Sequence, residues 1–540
     1  MTPLSWLPLL LLAFSLSGCD FPESPAPTTT KEEPFCKADL ECGEEQVCRR
    51  GYCAVQTTEP LDLGLTFIPP NSSPYLPQRI APQPIDATDD LQIGLEASIA
   101  LRGTISFANT ATHGPSGVLV LRRPQAEDNF FTQQLPVHRG AFEAFILAGR
   151  YDLAFVPEDA TIPRKVWRGK VFTSDTLEEL TLPQPRDFLK ITGSITHKQP
   201  GVLGDGDDRH VTNARVIAVS SQTGNTSTVG LTDEAGNYQI QVLPESGAYT
   251  LYVSPGDEDT LIPEVTLVDR FIAEKHNPPP VSVSLGTFAS LALPLSVQLG
   301  YEGILPDGIP SDFDWSGVTL VFRANIGHGV LTRQATVDEH GKVRLSLLPG
   351  NYEVEVLSQG HSPVAHAVHN LDLTNLVDAF AVPVSFKKRV RGIVRDGSGE
   401  PLESAKVRFE RIMEPSTLNT ENRSNSDGAG ISVTTTEEGL FELWVEMADY
   451  VVSATPLSNS GLPRALIRWP AEEIAAGSQI NIDLPAPVVI FGTVYGEDWK
   501  SVPDVTVQGF STLEGRQRVV GEAQTNSQGE FRLIIPSNLD

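Results

Sequence analysis

From residue 95 onward, apolar and polar positions alternate in short stretches separated by turn residues. Between Asn237 and Val242, the side chains of Tyr238, Ile240 and Val242 fall on one face, while Asn237, Gln239 and Gln241 fall on the other. A period of two predicts a strand with one buried face. Gly236 stands just before it, where a tight turn calls for a positive φ. The same phrase recurs around Gly140 (Phe142, Ala144, Ile146), Gly341 (Val343, Leu345, Leu347), Gly439 (Phe441, Leu443, Val445) and Gly529 (Phe531, Leu533, Ile535). An aromatic opens a further alternating strand at Tyr151, Tyr249, Tyr352 and Tyr450. Upstream, Gly103, Gly193, Gly303, Gly392 and Gly492 each open a copy from within a strand. No long run carries a 3.6-residue apolar stripe, so the pattern predicts an all-β chain.

These landmarks recur in order at roughly 90–110 residues, the mark of an internal repeat. They divide the chain into sandwiches at 95–187, 188–289, 290–386, 387–487 and 488–540. The fifth stops at Asp540, where its next aromatic strand is due, so it is expected to be incomplete. Either the chain is truncated there or an open sheet edge is left that could accept a partner's strand. The short joins around 187, 289, 386 and 487 predict a semi-rigid rod. Residues 55–94 hold Pro60, Pro69, Pro70, Pro74, Pro77, Pro82 and Pro84 and are expected to be a linker with at most one short strand, at 61–68.

The N-terminus reads differently. Residues 4–16 form an apolar run too short to span a bilayer, which needs about 20 residues, but suited to a signal peptide at 1–18. Leu16-Ser17-Gly18-Cys19 resembles a bacterial lipobox, although no Lys or Arg precedes the apolar run. The resemblance implies cleavage before Cys19 and lipidation of its thiol and new amino group. Several acyl chains give stable anchoring. Residues 19–34, rich in Pro, Thr and charge, read as an extended tether.

The other cysteines, Cys36, Cys42, Cys48 and Cys53, lie within 35–54. In an exported chain an even cluster predicts two disulfides, with three connectivities open. Four thiolates could instead bind zinc, but Cys-x2–4-Cys pairs are usual there and the compartment is oxidising. The segment CKADLECGEEQVCRRGYC resembles the short cysteine-rich repeats of the Dickkopf N-terminal type.

Composition narrows the partners. Lys plus Arg number 40 against 68 Asp plus Glu, a net charge of −28. Nucleic acid and anionic lipid headgroups both call for a basic face, so neither is an expected partner.

The fourth copy, GIVRDGSGEPLESAKVRFE followed by TTTEEGLFELWVEMADYVVSATP, resembles the carboxypeptidase regulatory-like, or transthyretin-like, β-sandwich. The second copy (GSITHKQPG, NARVIAVSS, TDEAGNYQIQVLPESGAYTLYVS) matches similarly, and the copies together cover about 95–540. The resemblance implies sandwiches of seven or eight strands. That family is often fused to enzymes, receptors or glycan-handling proteins, and often serves as a spacer.

No catalytic set is evident. None of the ten histidines is followed three residues later by Glu, as a zinc carboxypeptidase requires. Gly-x-Ser-x-Gly and a Gly-Lys-Ser/Thr phosphate loop are absent as well. Asp205, Asp207 and Asp208 form an acidic loop that could hold calcium or simply be solvated. His361, His366 and His369 are close together, in a spacing that matches no metal pattern. Trp444 falls on the outward face of its strand, where it could stack on a sugar or pack on the next sandwich.

The expectation is a non-enzymatic lipoprotein of the cell envelope without a cofactor, reaching its membrane through the lipid. Its tandem sandwiches would act as a stalk or interaction scaffold. The alternatives are a carbohydrate- or peptide-binding module, or an accessory subunit of an enzyme or outer-membrane system.

Overall fold

The computed structural model describes residues 46–49, 52–55 and 60–538, apart from 71–72, 87–89, 111–113, 124–131, 202–206, 258–260, 274–278, 290–291, 302–307, 310–312, 359–361, 375–378, 413–429, 459 and 478. The described chain is all-β; its one α-helix spans Ala471–Ala476.

The first sandwich shows the plan. One sheet has the order Thr176–Leu182, Ile99–Phe107, Ala141–Ile146; the other runs Lys165–Phe172, Gly149–Pro157, Gly117–Arg122, Thr132–Val137. The opening strand is therefore central in its sheet, antiparallel to Ala141–Ile146 and parallel to the last strand. The third sandwich (strands within 293–383) and the fourth (within 388–483) repeat this order, and the second (within 189–287) adds Asp208–His210 beside its opening strand.

Packing explains why three landmarks recur together. In the first, second and fourth sandwiches the opening glycine faces the aromatic of the marker strand: Gly103 opposite Phe142, Gly193 opposite Tyr238, Gly392 opposite Phe441. The ring lies over the glycine. A Cβ on Gly392 would come within 2.3 Å of Phe441 Cζ, a space no other residue leaves. Such aromatic–glycine cross-strand pairs cover the backbone that glycine exposes. Gly303 lies outside the described residues; in the third sandwich the position opposite Val343 is Val297, so neither partner needs to be special.

The turn glycines Gly140, Gly236, Gly341, Gly439 and Gly529 all have positive φ. At Gly236 the turn is held by Asp233, whose Oδ1 accepts from the amides of Ala235 and Asn237. Asp338 and Asn526 do the same before Gly341 and Gly529. The strand-opening tyrosines are core residues with satisfied hydroxyls. Tyr151, Tyr249 and Tyr352 donate to the carbonyls of Leu147, Leu243 and Leu348, and Tyr450 accepts from the Glu446 amide. Burial pushes the Tyr450 hydroxyl up to about 12.

The fifth sandwich corrects the expected plan. Residues 55–94 are not merely a linker, and the last copy is not left with an open edge. Strands Leu61–Ile68 and Gln78–Ile85 extend the sheet of Thr506–Leu513 and Arg516–Gln524, and Leu91–Gly94 runs parallel to Pro487–Tyr495. The three strands that the C-terminal segment lacks come from the N-terminal side of all the other sandwiches. They take the places of Gly149–Pro157, Lys165–Phe172 and Thr176–Leu182 in the first sandwich. Even the β-bulge is kept: it falls between Leu63 and Leu65 here and between Tyr151 and Leu153 there. Gly492 again faces an aromatic, Phe531.

Candidate functional site

The completed fifth sandwich is where the two ends of the array meet. Leu63, Leu65 and Phe67, all essentially inaccessible, share one core with Ile490, Val507, Leu533 and Ile535. Two close approaches key the N-terminal segment into place. Gly64 lies under the Phe510 ring, 2.2 Å from an added Cβ, and the Arg79 guanidinium sits 3.9 Å from that ring's centroid. Gly496 lies under Tyr75, whose hydroxyl accepts from the Glu497 amide at 2.9 Å.

The segment then passes directly to the first sandwich. Tyr75 bridges Ala97, Gln78 makes two hydrogen bonds to the backbone of Glu96, and Ser98 donates to the Pro74 carbonyl. The fifth sandwich is thus joined covalently to the first through 95–98 and to the fourth through 484–486. The remaining joins, 183–188, 288–292 and 384–387, are also short, four to six residues each. The sandwiches form a closed cycle rather than an open rod.

Each join is also built from side chains. Between the first and second sandwiches, Arg164 pairs its backbone with Thr226, and Asn225 accepts from the Val166 amide. Between second and third, Phe288 stacks on His197 at 4.2 Å, and the two sandwiches share a continuous core. Between third and fourth, the His366 amide donates to Glu446, while its ring Nε2 lies 2.9 Å from buried Glu355. Burial raises the Glu355 carboxyl, but the hydrogen bonds of His366 and Arg323 outweigh it, holding the group below the usual carboxylate range. Between fourth and fifth, Arg464 donates to the Val519 carbonyl and Glu410 ion-pairs with nearly inaccessible Arg518. A cleft of about 660 Å³ lies beside this join, between Leu457, Leu462 and Arg464 on one side and Phe491, Glu522 and Ile534 on the other.

The residues singled out in the sequence are scattered. Cys19, Cys36, Cys42, Asp205 and His361 lie outside the described residues. Cys48 is disulfide-bonded and faces Cys53 across a two-stranded hairpin. Asp207 and Asp208 are exposed at the edge of the second sandwich, Asp208 opposite Lys198. His369 pairs with Val354 inside the third sandwich. Among the described residues no three His, Cys, Asp or Glu converge as metal ligands. Trp444 does face outward but is half-buried, opposite Arg389 and beside Glu442, which Arg389 and Arg391 both grip.

Among the described residues the most exposed large aromatic is instead Trp499, 78 % accessible, with φ of +58°. It meets Tyr495 edge to face at 5.6 Å, beside Tyr75 at the closure. The alternation pattern could not reveal it, because it sits in the 3-10 turn Glu497–Trp499. A Trp inside the polar run Gly496 to Lys500 was the available signal.

No family model matches the chain, and no curated protein does. Among solved structures, the Bacillus anthracis TIE protein is 14 % identical, with 64 % of this chain and 72 % of that one covered, at a TM-score of 0.16. The shaft pilin spaA from Lactobacillus rhamnosus GG is 12 % identical over 36 % of this chain and 96 % of its own, at 0.20. A streptococcal ancillary pilin is 11 % identical over 72 % and 99 %, at 0.17. At these scores the sandwich architecture rests on the sheets described above.

Proposed function

We propose that this chain is a non-catalytic scaffold of the bacterial cell envelope, anchored through lipid on Cys19 and held off the membrane by its tether. Its folded part consists of transthyretin-like sandwiches, of the carboxypeptidase regulatory-like kind, closed head to tail. Four cysteines form two disulfides in a small module between tether and sandwiches. The observation that carries the scaffold reading is the cycle of short, side-chain-locked joins. A stalk needs only a linear array; a cycle fixes the position of every sandwich relative to the others and presents a rigid, multi-sided surface.

The test is small-angle scattering on the soluble chain lacking residues 1–19. A compact particle with little flexibility is expected; an extended, flexible one would rule the closed scaffold out. For the anchor, Cys19→Ala should shift the protein from membrane to soluble fractions, and unchanged partition would refute lipidation there.

A second reading, a carbohydrate-binding module, is favoured by Trp499. An accessible indole beside a second ring is a stacking surface for a sugar. A glycan-array signal abolished by Trp499→Ala and retained by Trp444→Ala would favour it over a bare scaffold.

A further inference from the structure

We infer that the segment holding Leu61–Ile68, Gln78–Ile85 and Leu91–Gly94 is a donor that also completes the fifth sandwich of a second copy of the chain, so that copies link head to tail. The four C-terminal strands form an acceptor. Without the donor, Thr506–Leu513 and Pro487–Tyr495 each present an unpaired edge, and Ile490, Val507 and Leu533 lose the cover of Leu63, Leu65 and Phe67. Unpaired edges over an exposed apolar floor are what strand addition fills.

The occupant is specified by shape. The acceptor's Phe510 ring fits over a glycine, met by Gly64, and its Gly496 fits under a ring, met by Tyr75. A second copy offers that same surface, so every contact inside the fifth sandwich is reproduced in the linked form, and only a join between sandwiches has to open. Among the described residues, nothing between Ile99 and Asp483 adds a strand to the fifth sandwich. The donor is therefore a self-contained unit at one end of the array and the acceptor lies at the other.

Two quantities set the balance. Closure within one chain is favoured at low concentration, because the donor is tethered near its own acceptor. It also requires the angles at every join to add to a full turn, a constraint that linking removes. Because donor and acceptor are different surfaces, the linked contact is heterologous and propagates into chains or larger rings.

Thr66 and Gln508 are cross-strand neighbours from donor and acceptor, within the Cα spacing a disulfide spans. Thr66→Cys and Gln508→Cys chains lacking residues 1–19 are mixed at high concentration, taken briefly through mild denaturant, returned to buffer and oxidised. Strand exchange should yield a peptide joining positions 66 and 508 between chains, in a species of twice the monomer mass or more. Wild-type chain treated alike should show the same masses by light scattering. The Thr66→Cys/Gln508→Cys chain at low concentration separates the readings. If it forms the bond within one chain while the mixture yields no 66–508 peptide, closure stands and exchange is overturned. If neither forms the bond, closure itself fails, and exchange with it.

Discussion

Phe67 and Phe531 meet edge to face, 6.5 Å between ring centroids, although among the described residues one comes from the first sandwich strand and the other from the last. Their contact joins the N-terminal segment to the C-terminal one across the core of the fifth sandwich. It makes that sandwich dependent on segments from both ends of the array and turns a series of sandwiches into a cycle.

The first consequence concerns Leu65. It is 1 % accessible and sits among Val507, Leu533 and Ile535. Leu65→Ala should destabilise the fifth sandwich by about 2–5 kcal/mol, the usual cost of a buried Leu cavity. In hydrogen exchange, the loss should appear in Pro487–Tyr495 and Glu530–Pro536 and spare the second and third sandwiches, despite the substitution lying far from them in sequence.

The aromatic–glycine pairs give a coupling prediction. Gly392→Ala forces the added methyl against Phe441 and the Ile480 carbonyl. Overpacking of this kind costs about 1–3 kcal/mol. In a Phe441→Ala background the ring is gone and the cost should fall, leaving a non-zero interaction energy in a double-mutant cycle read by denaturant melts.

At the third–fourth join, the pH dependence has a definite sign. The carboxyl of Glu355 is held below its ordinary value of 4.5 in the folded chain. A lowered pKa stabilises the fold above the unfolded value, and that stabilisation is lost as pH falls through the folded value. Glu355→Gln should therefore cost about 1.5–3 kcal/mol near neutral pH, as expected for charged hydrogen bonds. The gap to wild type should close as pH drops below 4.5 in paired melts.

At the fourth–fifth join, Glu410 holds two cations, Arg408 at 3.0 Å and Arg518. Burial, and then the nearby Arg408, push the Arg518 guanidinium down from its ordinary value. Glu410→Ala leaves the two arginines facing each other, whereas Arg518→Ala removes one of them. The first substitution should therefore loosen the join more, seen as faster exchange in Lys406–Arg411 and Arg516–Gln524.

Much of this was legible from residue types. The alternation at Tyr238, Ile240 and Val242, the turn at Gly236 and the buried tyrosines are local signals, and the structure keeps each of them. The completion of the fifth sandwich was hidden for a local reason too. Gln78–Ile85 carries Pro82 and Pro84, which mark a loop unless the strand lies at a sheet edge. It does lie at the edge, beside Leu61–Ile68. Leu63 fills the place that tyrosines hold in the other copies, so the aromatic landmark is missing as well. Nothing in a one-dimensional pattern pairs residue 65 with residue 509.

The most direct measurement is hydrogen exchange of the fifth sandwich in the chain lacking residues 1–19 and in the shorter chain 95–540. Pro487–Tyr495 and Thr506–Leu513 should lose protection in the shorter chain while the second and third sandwiches keep theirs, and a peptide spanning 60–95 added in trans should restore it. Equal protection in both chains would overturn the closed cycle, because the fifth sandwich would then stand without the strands that close it.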